Sequence, residues 1–296
     1  MAIRMRGKKR MLVTAAVLAV NLLLILMCVN LYRSKYGLTV TSYQISSEKI
    51  QEPFRIVQLS DLHNSSFGEN NEELIEQIVD LSPDYICMTG DMFNATQESL
   101  DIISNLVNRL SERFSVYYSY GNHEEQYSTY FSRDWKEELR KAGAVLLDYE
   151  YLDIESKNLR IGGIYGYCLP EKYLETGEAR KKECRFLKEF QNTDAYTILL
   201  CHMPVCFLIN GALEEWNVDN VLAGHTHGGQ IRLPLIGGLY APDQGWFPGR
   251  VRGRFDAQEQ NHTLIVSGGL GTSLHIPRLF NVPEIVVIDY IPEDKR

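Results

Sequence analysis

The chain after residue 38 repeats one pattern of apolar and polar positions. A short apolar run is followed by a polar turn and then by a segment with helical spacing of apolar residues, as at Leu74, Ile75, Ile78 and Val79. Short apolar runs predict strands, and the longer spacing predicts amphipathic helices. The predicted strands are 54–59, 85–88, 115–120, a hairpin within 144–166, 196–200, 220–223, 230–233, 263–267 and 284–290.

The helices predicted between these strands complete the pattern. Their apolar faces lie within 74–79, 100–110 and 131–139, and a charged helix covers 170–190. Alternation of this kind indicates α/β layering, with largely parallel strands early in the chain and antiparallel pairs later. Because no linker rich in Pro, Gly or Ser divides the body, we predict one domain over 39–296.

The N-terminal segment has a different character. Residues 11–31 form a run of 21 residues without a charge, and a helix needs ~20 residues to cross the hydrocarbon core. We predict a basic cytoplasmic N-terminus over 1–10, a transmembrane anchor over 11–31 and a linker over 32–38. Five basic residues within the first ten place the N-terminus in the cytoplasm and the body outside, in a single-pass membrane protein. A cleaved signal peptide is the alternative, although the apolar run exceeds its usual ~7–15 residues.

Composition and charge narrow the function. The chain of 296 residues is 45% hydrophobic and 23% charged, as in folded proteins. The first 36 residues carry seven of its 30 Lys and Arg residues and none of its 38 Asp and Glu residues. The body is therefore acidic, so we expect no nucleic-acid partner, and an anionic substrate would need local positive charge such as bound metal. Six cysteines without a CxxC pair are predicted to be mostly buried thiols.

Polar clusters follow five of the predicted strands. Ligands bind where the carboxyl ends of strands meet in open α/β sheets, so segments far apart in sequence can converge there. Histidine, aspartate and asparagine supply the ligands that suit manganese, iron or zinc. One such cluster alone is more often a turn or a helix cap, but five of the seven histidines fall in the set, which indicates a metal site. The clusters are Asp61-Leu62-His63, Gly90-Asp91, Gly121-Asn122-His123-Glu124, His202 and Gly224-His225-Thr226-His227.

Spacing within two clusters predicts pairs of ligands. On an extended backbone, residues two apart point to the same side, so Asp61 and His63 are expected to address one cavity, and so are His225 and His227. Glycine before Asp91, Asn122 and His225 lets the backbone turn sharply.

The ordered series DLH, GD, GNHE, H and GHTH resembles the calcineurin-like metallophosphoesterases. The segments GHTHGGQIRLP and LIVSGGLGTSLHIPRLFNVPEIVVIDY are similar to those of membrane-anchored or exported bacterial phosphodiesterases related to the UDP-2,3-diacylglucosamine pyrophosphatases. The resemblance covers 54–290. It implies a four-layer αββα sandwich, in which two mixed sheets are packed face to face with helices outside.

The resemblance also implies a site for two divalent metals. It assigns Asp61, His63 and His227 to the first ion. It assigns Asn122, His202 and His225 to the second ion, with Asp91 bridging both. Manganese is the expected metal, with iron or zinc as alternatives. In such families His123 lies beside the leaving group, where it could donate a proton or, alternatively, only orient a ligand. Glu124 is expected to orient neighbouring groups or to begin a helix.

The implied reaction is hydrolysis of a phosphodiester or pyrophosphate bond by a hydroxide shared between two metals, on a lipid-linked or nucleotide-sugar substrate. A phosphomonoesterase of the same fold is the nearest alternative. A membrane-tethered binding module with structural metals is another. Structural sites usually saturate their ions with protein ligands, whereas seven residues for two ions leave positions open, which favours catalysis.

Two features outside the clusters complete the predictions. Arg278 is a candidate phosphate contact, since a guanidinium fork suits that task, and a surface arginine is the alternative. The apolar loop 233–254 is expected to pack under the sheet as core, with an acyl-chain groove or a membrane contact as the alternative. His262 and His275 are read as ordinary histidines.

Overall fold

The computed structural model describes residues 2–272 and 277–293. His275 therefore lies outside the described residues. The chain begins with one long helix, α1 (Ala2–Tyr36). Its residues 10–36 are long and apolar enough to cross a membrane, and none of the apolar window is buried against the body. Helix α1 is therefore a candidate membrane span, and it continues through residues 32–36 almost to the first strand.

The body consists of short strands and helices that alternate along the chain. Its strands are β1 (Thr39–Ser47), β2 (Phe54–Leu59), β3 (Tyr85–Thr89), β4 (Ser115–Ser119), β5 (Ala144–Leu146), β6 (Glu150–Ile154), β7 (Leu159–Ile164), β8 (Tyr196–Cys201), β9 (Asn220–Ala223), β10 (Arg232–Leu233), β11 (Gly237–Gly238), β12 (Tyr240–Ala241), β13 (Gly245–Trp246), β14 (Gly253–Asp256), β15 (Thr263–Val266) and β16 (Glu284–Pro292). Its helices are α2 (Glu72–Leu81), α3 (Asp101–Ser111), α4 (Asn122–Tyr130), α5 (Trp135–Lys141), α6 (Lys181–Phe190), α7 (Val205–Ile209) and α8 (Ala212–Glu215).

Two six-stranded sheets carry the body. The first has the strand order β1-β16-β2-β3-β4-β5, and the second has the order β14-β15-β9-β8-β7-β6. In the first sheet β2, β3, β4 and β5 run parallel, whereas β16 is antiparallel to β2. In the second sheet β7, β8, β9 and β15 run parallel. Parallel strands place their carboxyl ends at the same edge of each sheet, which is where the polar clusters follow them.

The apolar side chains form three layers of core. One cluster, which includes Ile56 and Cys87 of the first sheet and Ile198 and Leu222 of the second, is fully buried between the sheets. A second cluster packs α2, α3 and α5 on the first sheet, and a third packs α6, α7 and α8 on the second. The order of layers is helix, sheet, sheet, helix, so the predicted four-layer α/β fold is confirmed.

Several local predictions differ from the structure. Strands β2 and β9 have the predicted bounds, but β1 and β14 were missed. Strand β1 lies at a sheet edge, and polar residues separate its apolar positions Val40, Tyr43 and Ile45, so it lacks an apolar run. The helix predicted over 170–190 is shorter, because α6 begins at Lys181. The expected late antiparallel pairs are present as β10–β11, β12–β13, β14–β15 and β16–β2. Strand β9, by contrast, pairs in parallel with both β8 and β15. Five cysteines are buried thiols, whereas Cys28 is exposed on α1.

Candidate metal centre

The five polar clusters come together at one edge of the sandwich. Asp61, Asp91 and Asn122 follow β2, β3 and β4 of the first sheet. His202 and His225 follow β8 and β9 of the second sheet. Both sheets therefore contribute, and the site spans the boundary between them.

One group of donor atoms joins Asp61, His63 and His227. One ligand atom of each lies within 4.8 Å of the others, and all three side chains are buried. The Nε2 atom of His227 lies 3.8 Å from Oδ1 of Asp61. Burial lowers the pKa of His63 and of His227 to about 3. Both imidazoles are therefore neutral near pH 7, and the neutral ring is the form that binds a metal.

A second group joins Asp91, His202 and His225. The Nε2 atom of His202 lies 3.2 Å from Oδ2 of Asp91 and 3.2 Å from Nδ1 of His225. The Nδ1 atom of His202 donates to the carbonyl of Thr89 at 2.7 Å, so its Nε2 faces the cluster. Burial opposes the charged form of His202, but the Asp91 carboxylate prevails and raises its pKa to about 10. Without a metal, this histidine acts as the counter-ion of Asp91.

Asp91 connects the two groups, and buried atoms without hydrogen-bond partners in the described part of the chain are further candidate metal ligands. Its Oδ2 atom also lies 3.8 Å from Nε2 of His63. Within the described residues, neither that Nε2 atom nor the buried Oδ1 atom of Asn122 has a hydrogen-bond partner. Buried polar atoms are normally hydrogen-bonded, so these two unpaired atoms are suited to bind a metal. The residues present therefore fit divalent cations.

Comparison with known proteins agrees with this geometry. The model of the family described as calcineurin-like phosphoesterase matches residues 54–229, well over half of the chain. The chain belongs to this family. It is 27% identical over 86% of its length to an uncharacterized metallophosphoesterase of Aquifex aeolicus (strain VF5), of which it covers 92%.

Two further relatives carry more specific names. Phosphodiesterase YaeI of Escherichia coli (strain K12) is 26% identical, over 81% of this chain and 83% of that protein. UDP-2,3-diacylglucosamine pyrophosphatase LpxG of Chlamydia muridarum (strain MoPn / Nigg) is 26% identical, over 79% of this chain and 82% of that protein. The calcineurin-like family, which was predicted from the motif series, is thereby confirmed.

His123 of this phosphoesterase lies at the rim of the cluster. Its ring contacts that of His63 at 4.6 Å between centroids, and a ligand atom of each lies within 4.8 Å of one on Asp91. The Nδ1 atom accepts the backbone N–H of Ala95 at 3.1 Å. Because Nδ1 accepts a hydrogen bond, the ring N–H lies at Nε2. Because the side chain is only half-buried, that proton is available to a group bound beside the cluster.

Left-handed backbone turns, rather than extended chain, aim the paired ligands. Positive φ angles occur at Asp61 (53°), His63 (47°), Asp91 (53°), His225 (70°) and His227 (49°). The prediction that these pairs lie on an extended backbone is therefore wrong. Each pair still converges, because each turn at a strand end redirects its side chain. Such conformations cost ~1–3 kcal/mol each and persist where surrounding structure enforces them.

Close packing of the backbone explains two of the glycines. A Cβ atom on Gly121 would collide with Oδ1 of Asp91, and one on Gly224 would lie 2.5 Å from Oδ2 of Asp61. Glycine is therefore required before Asn122 and His225 because a side chain there would collide with the carboxylates of the cluster.

Glu124 holds two of the ligand loops together. It is fully buried. Its carboxylate accepts the backbone N–H groups of Asp91 at 2.9 Å, Met92 at 2.8 Å and Gly121 at 2.8 Å. It also accepts the hydroxyl of Tyr118 at 2.6 Å. It therefore orients neighbouring groups and also lies in the first turn of α4, so both predicted roles apply.

Two further supporting residues were missed by the sequence analysis. The Oδ1 atom of Asn94 contacts Nδ1 of His63 at 3.1 Å, and Oδ2 of Asp243 contacts Nε2 of His225 at 3.0 Å. Contacts of this kind fix the orientation of a ligating imidazole. Asn94 lies three residues after Asp91 and could have been considered, whereas no sequence signal marks Asp243.

Arg278 is buried, which rules out the alternative of a surface arginine. Its side chain is 4% exposed, and Nε donates to the carbonyl of Gly271 at 2.8 Å. Burial lowers its pKa to about 10, and Asp61 opposes that shift, so the guanidinium remains charged at neutral pH. His262 lies apart from the cluster and hydrogen-bonds to the Leu213 carbonyl at 2.9 Å, as expected of an ordinary histidine.

The large apolar residues of loop 233–254 do not pack as core. Leu235, Ile236, Trp246 and Phe247 are all exposed, so that prediction is wrong for them. Two short hairpins, β10–β11 and β12–β13, carry these side chains outward.

Proposed function

We propose that this protein is a binuclear metallophosphoesterase that hydrolyses a phosphodiester or pyrophosphate bond. The observation that carries the proposal is the pair of donor groups that Asp91 connects, since it belongs to one group and its Oδ2 lies 3.8 Å from Nε2 of His63 in the other. The buried Oδ1 atom of Asn122, which has no hydrogen-bond partner among the described residues, adds to the set. Asp61, His63 and His227 would hold one ion, Asn122, His202 and His225 the other, and Asp91 both. When bound, two such ions supply Lewis-acid activation of water and stabilise charge on the phosphoryl oxygens.

The residues of the chain then have distinct tasks. In the overall reaction the oxygen of water bonds to phosphorus, the bond to the leaving oxygen breaks, and the leaving oxygen takes a proton. The attacking water supplies that proton, and His123 donates a hydrogen bond from Nε2 to the leaving oxygen, because its Nδ1 is engaged by Ala95. Glu124 keeps Asp91 and the start of α4 in register.

Two considerations support this proposal over its alternatives, a monoesterase and a binding module. Relatives named as a phosphodiesterase and as a pyrophosphatase align over most of this chain. Seven residues for two ions leave coordination positions open, which argues against a binding module with structural metals.

We also propose a membrane location with the catalytic domain, residues 39–296, outside the cytoplasm. Helix α1 supplies the span, and the basic residues that precede it favour a cytoplasmic N-terminus. Proteolysis of intact spheroplasts checks this topology, because a body on the cytoplasmic side would be protected.

The test of the activity uses full-length protein in neutral detergent. Hydrolysis of bis(p-nitrophenyl) phosphate and of p-nitrophenyl phosphate is measured with Mn²⁺ and with chelator. We expect faster turnover of the diester, complete dependence on metal, and a loss in Asp91→Asn beyond the ~100-fold typical of residues that merely support a ligand. Asp80→Asn, an exposed change on α2, should keep full activity. No turnover of either ester in the presence of metal would overturn the proposal.

A further inference from the structure

A cavity of about 320 Å³ lies where α1 meets the body. Leu31, Ser34 and Lys35 of α1 form one wall, and Ser65, Thr272 and Arg278 are among the residues opposite. Ser65 lies two residues after His63, on the loop that carries the first ligands. The cavity therefore lies between the end of the candidate membrane helix and the loop that carries the first candidate ligands.

Helix α1 is fixed to the body at this point. The Oδ1 atom of Asn30 accepts the backbone N–H of Phe280 at 2.7 Å. The hydroxyl of Ser34, which is 1% exposed, accepts the backbone N–H of Asn281 at 3.4 Å. Asn281 in turn donates from Nδ2 to the carbonyl of His227 at 2.7 Å. One residue, Asn281, thus connects the last turns of α1 to a candidate metal ligand.

Arg278, which lines the cavity, is a cation with two donor atoms that no described residue uses. Arg278 is fixed by its Nε atom, but Nη1 and Nη2 have no acceptor among the residues that the structure describes. A buried, charged donor pair without acceptors is rare, and a guanidinium fork binds two phosphate oxygens at once. Lys35 adds a second positive charge at the same cavity, on a body that is acidic overall.

Arg278 is also adjacent to the metal centre. A Cβ atom built on Gly269 would lie 3.0 Å from Nη2 of Arg278 and 2.8 Å from Cβ of Asp61. A phosphate held by the guanidinium would therefore be a neighbour of the first donor group.

Exposed apolar residues surround the cavity on the side of α1. Phe280 is 45% exposed and follows Leu279, whose carbonyl accepts the N–H of Arg232 in β10. That contact brings the β10–β11 hairpin beside the end of α1, and the hairpin tip exposes Leu235 and Ile236. We call these three exposed side chains, Phe280, Leu235 and Ile236, the apolar rim. Apolar side chains beside a membrane helix are typical of surfaces that rest in the lipid interface.

Building on the proposed function, we propose that this cavity binds the phosphate-bearing headgroup of a lipid whose acyl chains stay in the membrane. The substrate class is therefore a membrane lipid with an anionic phosphodiester or pyrophosphate headgroup. Arg278 and Lys35 bind phosphate oxygens, while Leu31 and the apolar rim contact the first carbons of the chains. The substrate reaches the metals along α1 without leaving the bilayer.

Binding is tested without turnover, by native mass spectrometry of the full-length protein in neutral detergent. The probes are dioleoylphosphatidic acid and dioleoylphosphatidylcholine, which share their acyl chains. The first presents an anionic phosphate that a diesterase does not cleave, and the second is a zwitterion whose choline cation opposes Arg278 and Lys35. We expect the phosphatidic acid to bind ~10-fold more tightly to the wild type, and Lys35→Glu to remove that preference. Arg33→Glu is the matched control, because it reverses a charge on the same turn of α1 but does not line the cavity. It should keep the preference.

Three results would overturn the proposal. Equal retention of both lipids by the wild type would show that the cavity does not read phosphate charge. Equal loss in Lys35→Glu and Arg33→Glu would reduce the effect to general surface charge. Displacement of the lipid by inorganic phosphate at the same concentration would assign the cavity to a soluble anion.

The same preparation separates this proposal from the proposed function. If the wild type hydrolyses bis(p-nitrophenyl) phosphate but shows no preference for phosphatidic acid, the cavity proposal fails and the enzyme stands. If it retains phosphatidic acid but hydrolyses no ester with Mn²⁺, the proposed function fails and the lipid site stands.

Discussion

The metal centre and the cavity beside α1 are neighbours, but they are built differently. The centre is assembled from loops after strands of both sheets, and further side chains such as Glu124, Asn94 and Asp243 hold its parts. The cavity lies between the body and a helix outside the sheets, and Arg278 has two nitrogens without acceptors among the described residues. The side chains of the metal centre are thus held in place by their neighbours, whereas the charged guanidinium at the cavity has donor atoms that no described residue uses.

The two regions therefore depend on different parts of the fold. The centre depends on the fold of the sandwich, since its ligands follow strands whose register the core fixes. The cavity depends on how α1 is joined to the loop of residues 277–281 through Asn30 and Ser34. We therefore expect changes at the centre to alter metal binding for every substrate, and changes at the cavity to alter the choice of substrate.

Arg278→Gln should produce the largest difference between the activity on a lipid substrate and the activity on a small one. Loss of a charge-assisted, bidentate contact should lower kcat/KM on a lipid phosphodiester by ~50-fold, with a smaller loss on bis(p-nitrophenyl) phosphate. The melting temperature should not fall, because an unpaired buried charge costs free energy and its removal relieves that cost. Arg113→Gln, an exposed change after α3, is the control for loss of charge. A lower melting temperature with an equal loss on both substrates would make Arg278 a structural residue.

How far the sequence predicts these two regions follows from the same difference. Asp61, Asp91 and His225 could be found because each follows an apolar run that ends at a common sheet edge. Their left-handed φ angles could not, because alternation is a rule for extended chain and these residues lie beyond the strand ends. Asp243 reaches its histidine only through a loop fold that no local pattern specifies.

The cavity was harder to predict from the sequence than the metal centre. Arg278 could be named as a phosphate contact, but its burial depends on tertiary packing. The pairing of Lys35 with Arg278 across one cavity requires contact between segments at opposite ends of the chain. Exposure of Leu235 was predicted wrongly for a related reason, since an apolar loop residue has the same pattern whether it faces core or lipid.

Asp243→Asn should have an effect confined to the metal centre. The change weakens the contact of Oδ2 with His225, and loss of such a contact typically lowers metal affinity ~10-fold or more. Calorimetric titration of metal-free protein with Mn²⁺ measures this metal affinity directly. The preference for phosphatidic acid should be retained, and Asp80→Asn should match the wild type in both measurements. A change in lipid preference without a change in metal affinity would contradict the separation of the two regions.

The smallest expected effect lies at the apolar rim. Leu235→Ser removes an exposed leucine from the tip of β10–β11, where it has no role in the core. If that side chain rests in the lipid interface, its loss weakens only part of one apolar contact, so the rate on a lipid phosphodiester in vesicles should fall ~3-fold relative to that on bis(p-nitrophenyl) phosphate. Val145→Ser is the matched control, because Val145 is also exposed but lies on β5 at the far edge of the first sheet from β1. An equal ratio of rates in both variants would place the rim in water, and would restrict the lipid contact to α1 and the cavity itself.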